Sequence, residues 1–438
     1  MRRRCAALVA AAGLTGAMLC AAQPPEAEAT FDKVWTIVRN THFDPSFDVA
    51  TWDRARAELR PKAIGAKTPG ELRAVLRELL GRLGLSHFAV IPASPDGPDD
   101  HVNLGGQPGF DVRLIDRQLI VSAVDPDGPA VSAGVKPGWA VERVDGVPLP
   151  DRLAAVLDGA PARIAQLEAW RLSLGELRGA PGSTLEATFV DGSGASMRKS
   201  IQRIAESGEP VTVGSLPTMH VRVRSSLMRT PEGGRAGVIA FNVWMAAVDV
   251  KFQQAIDRFR DADGVVIDLR GNPGGLAAMI MGLAGHFVSE PLTLGVMNAR
   301  GDHELRFRAN PRLVSGSGDR VQPFRGPLAI VVDGLSASAS ECFTGGLQSL
   351  GRARVFGETT MGQALPALFD TLPNGDVFIH AWGDFVTGTG VRIEGRGVVP
   401  DEIVPATRAD LLAGRDRPLE AALAWIDRER RKGPQSAD

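Results

Sequence analysis

Lysine is scarce in this chain, cysteine is almost absent and neither sign of charge dominates; each shortage removes a class of function. Lysine and arginine number 49 against 51 acids, for a net charge of −2, and only seven of the cations are lysines. Without a basic excess nothing points to nucleic acid, and without an acidic run nothing points to a charge-driven partner. Of three cysteines, Cys5 and Cys20 fall in an N-terminal segment built like an export leader, which leaves Cys342 alone in the mature chain. One cysteine makes no internal disulfide, so an oxidising compartment would add no staple. A buried thiol is the expected state of Cys342. No His/Cys/Asp cluster has metal-ligand spacing, so neither a metal nor another cofactor is expected.

What is present begins with that leader. Arg2-Arg3-Arg4 precede the apolar stretch Cys5 to Ala22, and Ala21-Ala22 or Ala27-Glu28-Ala29 offer cleavage sites. A signal peptide is therefore read over 1–22, with cleavage as late as 29. Gly13 and Gly16 break the run, which argues against a retained anchor, so no stable span is expected once the leader is removed. Leu19 before Cys20 is a poor fit to a lipidation site. A periplasmic or secreted protein is expected.

The 438 residues are enough for several cores. Apolar spacing predicts an N-terminal helical domain over 30–102, with a helix start at Thr68-Pro69-Gly70-Glu71. Gly84 ends its last helix, so Ser86-His87 stands where helix gives way to strand. Residues 91–108, rich in Pro, Gly and Asp, read as a linker. A β-domain follows over 103–205, with a short helix at Pro129, a Pro-Gly turn and a hairpin at Asp145-Gly146. Residues 206–430 alternate strands and helices, as in a sheet covered by helices, although 206–235 read as irregular. In this last part a strand–turn–helix order occurs twice. Gly264 to Leu269 leads through Arg270-Gly271-Asn272-Pro273-Gly274-Gly275 into a helix expected over 276–287. Leu328 to Val332 leads through Asp333-Gly334 into Ser336, Ser338 and Ser340 and a helix to Leu350.

Free N–H groups and the dipole at a helix start stabilise an anion, which suits a nucleophilic serine and its tetrahedral intermediate. Amides of Gly274 and Gly275, with that of Ala339, would together form an oxyanion hole. No Lys-Ser/Thr follows the glycine turn, so it is not a P-loop.

The β-domain resembles a PDZ domain. In that family the loop matching Pro108-Gly109-Phe110 holds a peptide's terminal carboxylate, which makes Gly109 and Phe110 the implied peptide-binding residues. Asp268 to Gly275, Ser336 to Glu341 and Gly357 to Gly362 are similar to signatures of the C-terminal processing peptidases, in the same order along the chain. The resemblance implies an α/β multidomain chain with a ClpP/crotonase-like core, and it makes Ser338 the nucleophile. It also implies a lysine base shortly after the Thr-x-Gly turn, but this chain has Gln363 there, and an amide cannot take the serine proton. The tricorn-type branch uses a Ser-His pair ahead of the PDZ-like domain, with a later glutamate. That similarity implies His87 as base, supported by Ser86 and Glu394. Glu394 could equally be a surface carboxylate. His286 and His380 are rival bases in apolar surroundings. Glu341, in the first turn of the serine helix, needs only a structural role.

The expected function is an exported serine endopeptidase acting on proteins or peptides, near their C-termini among other sites. The alternatives are an inactive scaffold that binds peptides or apolar ligands, and a relative of acyl-CoA-handling crotonases.

Overall fold

The computed structural model describes residues 24–93, 105–159, 164–214, 216–301 and 303–432. The leader read over 1–22 and most of the linker lie outside the described residues. Three helices, Pro24–Thr41, Val49–Ile64 and Pro69–Gly81, open the chain. Thr68 caps the third by accepting from the Glu71 amide, and Pro69 takes the first position, where a missing N–H costs nothing. The inward faces bury Phe31, Val34, Trp52, Leu59, Leu72 and Leu76 in one core, which Leu372 and Phe378 complete. Strand pairing and a buried ion pair are among the contacts that bind this unit to the distant hairpin Ala367–Thr371/Val377–Ala381. Strand Phe88–Ile91 pairs antiparallel with Val377–Ala381, Phe88 opposite His380. The buried Arg73 guanidinium donates to both Asp376 oxygens at 2.7 and 2.8 Å.

In the middle unit five strands lie antiparallel in the order Phe110–Ile115, Gln118–Val124, Ala140–Val144, Thr184–Val190, Ser196–Gln202. The hairpin at Asp145-Gly146 has positive φ at both residues, as its sequence requires. The sequence reading missed the helix Ala165–Leu177, which lies along the edge strand Phe110–Ile115. Its residue Gln166 pairs with that strand through its side chain. The Gln166 carboxamide accepts from the Leu114 amide at 3.1 Å and donates to the Leu114 carbonyl at 2.7 Å.

A six-stranded sheet organises the C-terminal half, in the order Val223–Arg229, Arg235–Phe241, Gly264–Asp268, Leu328–Val332, Arg354–Gly357, Glu402–Ile403. The first pair is antiparallel and the rest are parallel. Helices Ala247–Arg258, Met279–Ala284 and Ala339–Ser349 contribute Phe252, Ile280 and Phe343 to the core on one face. On the other, Ala422, Leu423 and Ile426 of helix Arg417–Lys432 meet Val266, Val331 and Phe356. Burial on both faces explains why the central strands read as unbroken apolar runs.

Two expectations are corrected. The helix expected over 276–287 is confined to Met279–Ala284, in a stretch where Gly274, Gly275, Gly282 and Gly285 all weaken helix. Residues 206–235 are not irregular: they contain strands Glu209–Val211, Met219–Val221 and Val223–Arg229. All three are short or at a sheet edge, where one solvated face blurs the apolar signal. The topology fixes the position of the site. Strands Gly264–Asp268 and Leu328–Val332 are parallel neighbours, Asp268 opposite Val331, so the turns leaving their C-terminal ends stand side by side.

Candidate active site

The alternation of Ser336, Ser338 and Ser340 divides their roles. Ser336 and Ser340 are fully buried and stitch the two turns together. Ser336 Oγ donates to the Leu269 carbonyl at 2.8 Å and accepts from the Asp333 amide at 3.0 Å. Ser340 Oγ donates to the Asn272 carbonyl at 3.0 Å and accepts from the Trp244 indole at 2.8 Å. Ser338, between them, has φ +54° and ψ −118°, a conformation that costs a non-glycine residue about 1–3 kcal/mol. Such strain persists only where the surroundings over-determine it. Here the Ser338 amide donates both to the Gln363 carbonyl (2.8 Å) and to Glu341 (3.1 Å).

Glu341 does more than complement a helix dipole. Its buried carboxylate accepts from the Thr360 hydroxyl and from the amides of Gly362, Gln363 and Ser338. Burial pushes its pKa up to about 7 against the downward pull of those four donors. The turn Thr360–Gln363 is thereby fastened to the start of the serine helix.

The glycine turn packs directly on the serine: a Cβ at Gly274 would stand 2.6 Å from that of Ser338. Buried Asn272 shapes the turn, its side chain donating to the Phe241 carbonyl at 2.8 Å and accepting from the Gly274 amide at 3.0 Å. The expectation for Gly274 is thus corrected: its N–H is committed to Asn272. The amides of Gly275 and Ala339 have no hydrogen-bond partner among the described residues. The sequence reading passed over Asn272 and also Asp333, which accepts from the amides of Gly271 and Leu335 and pairs with Arg113 of the middle unit at 2.8 Å. Apolar side chains reinforce that junction, since Leu167 packs with Leu335, Ala337 and Met361 beneath the serine turn.

The other predicted residues form a chain of hydrogen bonds. Glu394 is buried, not a surface carboxylate. It accepts from the Ser86 amide (3.0 Å), the Ser86 hydroxyl (2.9 Å) and the Ala364 amide (2.9 Å). Ser86 Oγ, its own proton spent on Glu394, is left to accept from His87 Nδ1 at 2.7 Å. His87 has φ +56°, a second strained residue, just ahead of strand Phe88–Ile91. Burial lowers its pKa to about 4. No hydrogen bond joins His87 to Ser338. The two are tied to one dipeptide, because Gln363 holds the Ser338 amide and Ala364 holds Glu394.

The rival histidines have other surroundings. His286 is buried beside Phe252, and burial pushes its pKa down to about 4. His380 is bound to Asp370 at 2.9 Å. Cys342 is buried, and burial holds its thiol well above the usual range, so it stays protonated and unreactive. Gly109 takes φ +80°, and the Phe110 ring packs edge-on against Phe189 in the core of the middle unit. No group of three or more potential metal ligands occurs among the described residues.

With this geometry in view, the relatives can be stated. Residues 235–404 match Peptidase family S41, and residues 23–81 match the tricorn protease C1 domain. A carboxyl-terminal-processing protease of Picosynechococcus is 24% identical over 381 residues, covering 85% of this chain and 82% of that protein. A tricorn protease homolog of Streptomyces coelicolor is 25% identical over 410 residues; the match covers 90% of this chain but only 31% of that larger protein. Among solved structures, the photosystem II D1 C-terminal processing protease superposes with TM-score 0.56 at 20% identity, covering 91% of this chain and 97% of the other.

Proposed function

We propose that this chain is an exported serine endopeptidase of the S41 kind, in which His87 activates Ser338. The observation that carries the proposal is the Glu394–Ser86–His87 chain of hydrogen bonds. Because Ser86 donates to Glu394, it accepts from Nδ1–H, and the imidazole is left with its lone pair on Nε2. A pKa near 4 keeps that nitrogen neutral at physiological pH, able to take a proton. His87 Nε2 removes the Ser338 hydroxyl proton as Oγ bonds to the scissile carbonyl carbon. The amides of Gly275 and Ala339 receive the oxyanion. Collapse breaks the C–N bond, and the proton on His87 passes to the departing amine. Water then repeats the sequence to release the acyl group. Glu394 acts through Ser86 to orient the ring and to stabilise its transient charge.

His87→Ala should lower kcat/KM on a peptide at least about a hundred-fold, whereas Gln363→Ala should keep most of it. Full activity in the first variant would remove His87 from the mechanism. The kcat/KM of the wild type should fall as pH drops through about 4, because the base is protonated below that value.

The middle unit is read as a PDZ-like module that presents a substrate's C-terminal part, with Gly109 and Phe110 at its carboxylate loop. Export rests on the leader. Ala27 is buried in the first core, which favours cleavage after Ala22 over cleavage after Ala29. No described helix is long and apolar enough to cross a membrane. The absence of a His87–Ser338 bond favours one other reading, an inactive peptide-binding scaffold. A fluorophosphonate probe separates the two, since only an activated Ser338 is labelled.

A further inference from the structure

A cavity of about 940 Å³ lies between the middle unit and the core sheet. Arg113 and Trp170 line it from one side, and Asn242, Gly271 and Pro273 from the other. The last two belong to the glycine turn, whose next residue, Gly274, packs on Ser338; Ser338 itself does not line the cavity. Most arginines on its walls are committed. Arg113 pairs with Asp333, Arg178 with Glu206, and Arg270 with Asp268 and Asp416.

Arg222 is the exception. Its guanidinium enters no ion pair or hydrogen bond given for the described residues, and its Nε is sealed from solvent without a partner. The residue is nevertheless held firmly. Its amide donates to Asn242 Oδ1 at 2.7 Å, and the Asn242 side chain also donates to the His220 carbonyl at 2.9 Å. The stem is packed as well, since a Cβ at Gly208 would lie 3.0 Å from Arg222 Cγ. An unpaired guanidinium on a packed stem, in a partly desolvated cavity, is a ready receptor for a planar anion, which it can bind through two parallel hydrogen bonds.

We propose that Arg222 receives a carboxylate of the peptide substrate, either its chain terminus or an Asp or Glu side chain, and so selects peptides that carry one a short distance from the scissile bond. The inference rests on the peptidase reading, because a peptide's anions are carboxylates.

The test uses internally quenched peptides of one sequence that end in a free acid or an amide, and a second pair carrying Asp or Asn at an internal position. The wild type should prefer the carboxylate member of one pair by about ten-fold or more in kcat/KM, and the responding pair identifies the source. In Arg222→Met that ratio should fall to near one, and Arg222→Lys should restore part of it. The same peptides are titrated calorimetrically against Ser338→Ala and Ser338→Ala/Arg222→Met, which reads the preference without turnover. A binding preference lost with Arg222 upholds the inference even if no peptide is cleaved, in which case the catalytic reading fails alone. A wild type indifferent to both pairs, or a preference unchanged in Arg222→Met, overturns it.

Discussion

Ser338→Ala is expected to lower kcat/KM for peptide hydrolysis by about ten-thousand- to million-fold and to abolish labelling by a fluorophosphonate. The size of the effect follows from the division of labour within the serine turn. Ser336 and Ser340 spend their hydroxyls on the glycine turn, so neither can replace the missing Oγ. The fold should survive, because the alanine variant keeps the same backbone and the Ser338 bonds to Gln363 and Glu341 are made by its amide. A glycine at 338 separates chemistry from stability still more clearly. At φ +54° glycine escapes the strain that serine bears, so Ser338→Gly should be equally inactive yet melt at a higher temperature than Ser338→Ala. Differential scanning calorimetry of the two variants reads that difference. Equal melting temperatures would mean that the turn relaxes without cost.

Asp376→Ala is expected to destabilise the protein by about 3–5 kcal/mol, measured as a shift in denaturant midpoint. Asp376 is fully buried and accepts from both nitrogens of the Arg73 fork, from the Ala93 amide and from the Asn374 side chain. Its loss breaks a bidentate ion pair whose guanidinium is almost without solvent, and breaking such a buried pair from one side sets the cost. The double variant Arg73→Met/Asp376→Leu should therefore be more stable than either single one. Activity should fall with stability in Asp376→Ala. The pair holds the hairpin onto the N-terminal unit, and strand Phe88–Ile91, which begins directly after His87, is hydrogen-bonded to that hairpin.

How much of this was legible in the sequence depended on the range of the signal. The cap at Thr68, the hairpin at Asp145-Gly146 and the two strand–turn–helix units are local patterns, and each formed where it was read, with a shorter helix after the glycine turn. The helix Ala165–Leu177 was missed, though its apolar residues serve two different partners. Some face the middle unit's own core, and Leu167 and Trp170 face the serine turn, so no single stripe stands out. Within the site, Ser86, His87 and Glu394 were readable only through resemblance. The bonds from Ser86 to Glu394 span 308 residues, and no spacing rule reaches that far. Glu341 was read as a dipole partner because the sequence shows its helix position but not the turn Thr360–Gln363 folding back onto it. Asn272 and Asp333 carried a weak signal, an Asn and an Asp within glycine turns, where side-chain-to-backbone bonds are common.

The Gln166 side chain has a consequence beyond holding a helix in place. By giving Leu114 both bonds that a neighbouring strand would give, it makes the protein its own competitor for that edge. Any extended segment seeking to add at Leu114 meets an intramolecular rival that never dilutes. Its apparent affinity is the intrinsic one scaled by the fraction of time the rival is away. That rival also stands at the foot of the serine turn, where a Cβ on Gly334 would come within 2.9 Å of Gln166 Cγ. One side chain therefore touches both the Leu114 edge and the loop that leads into the serine turn.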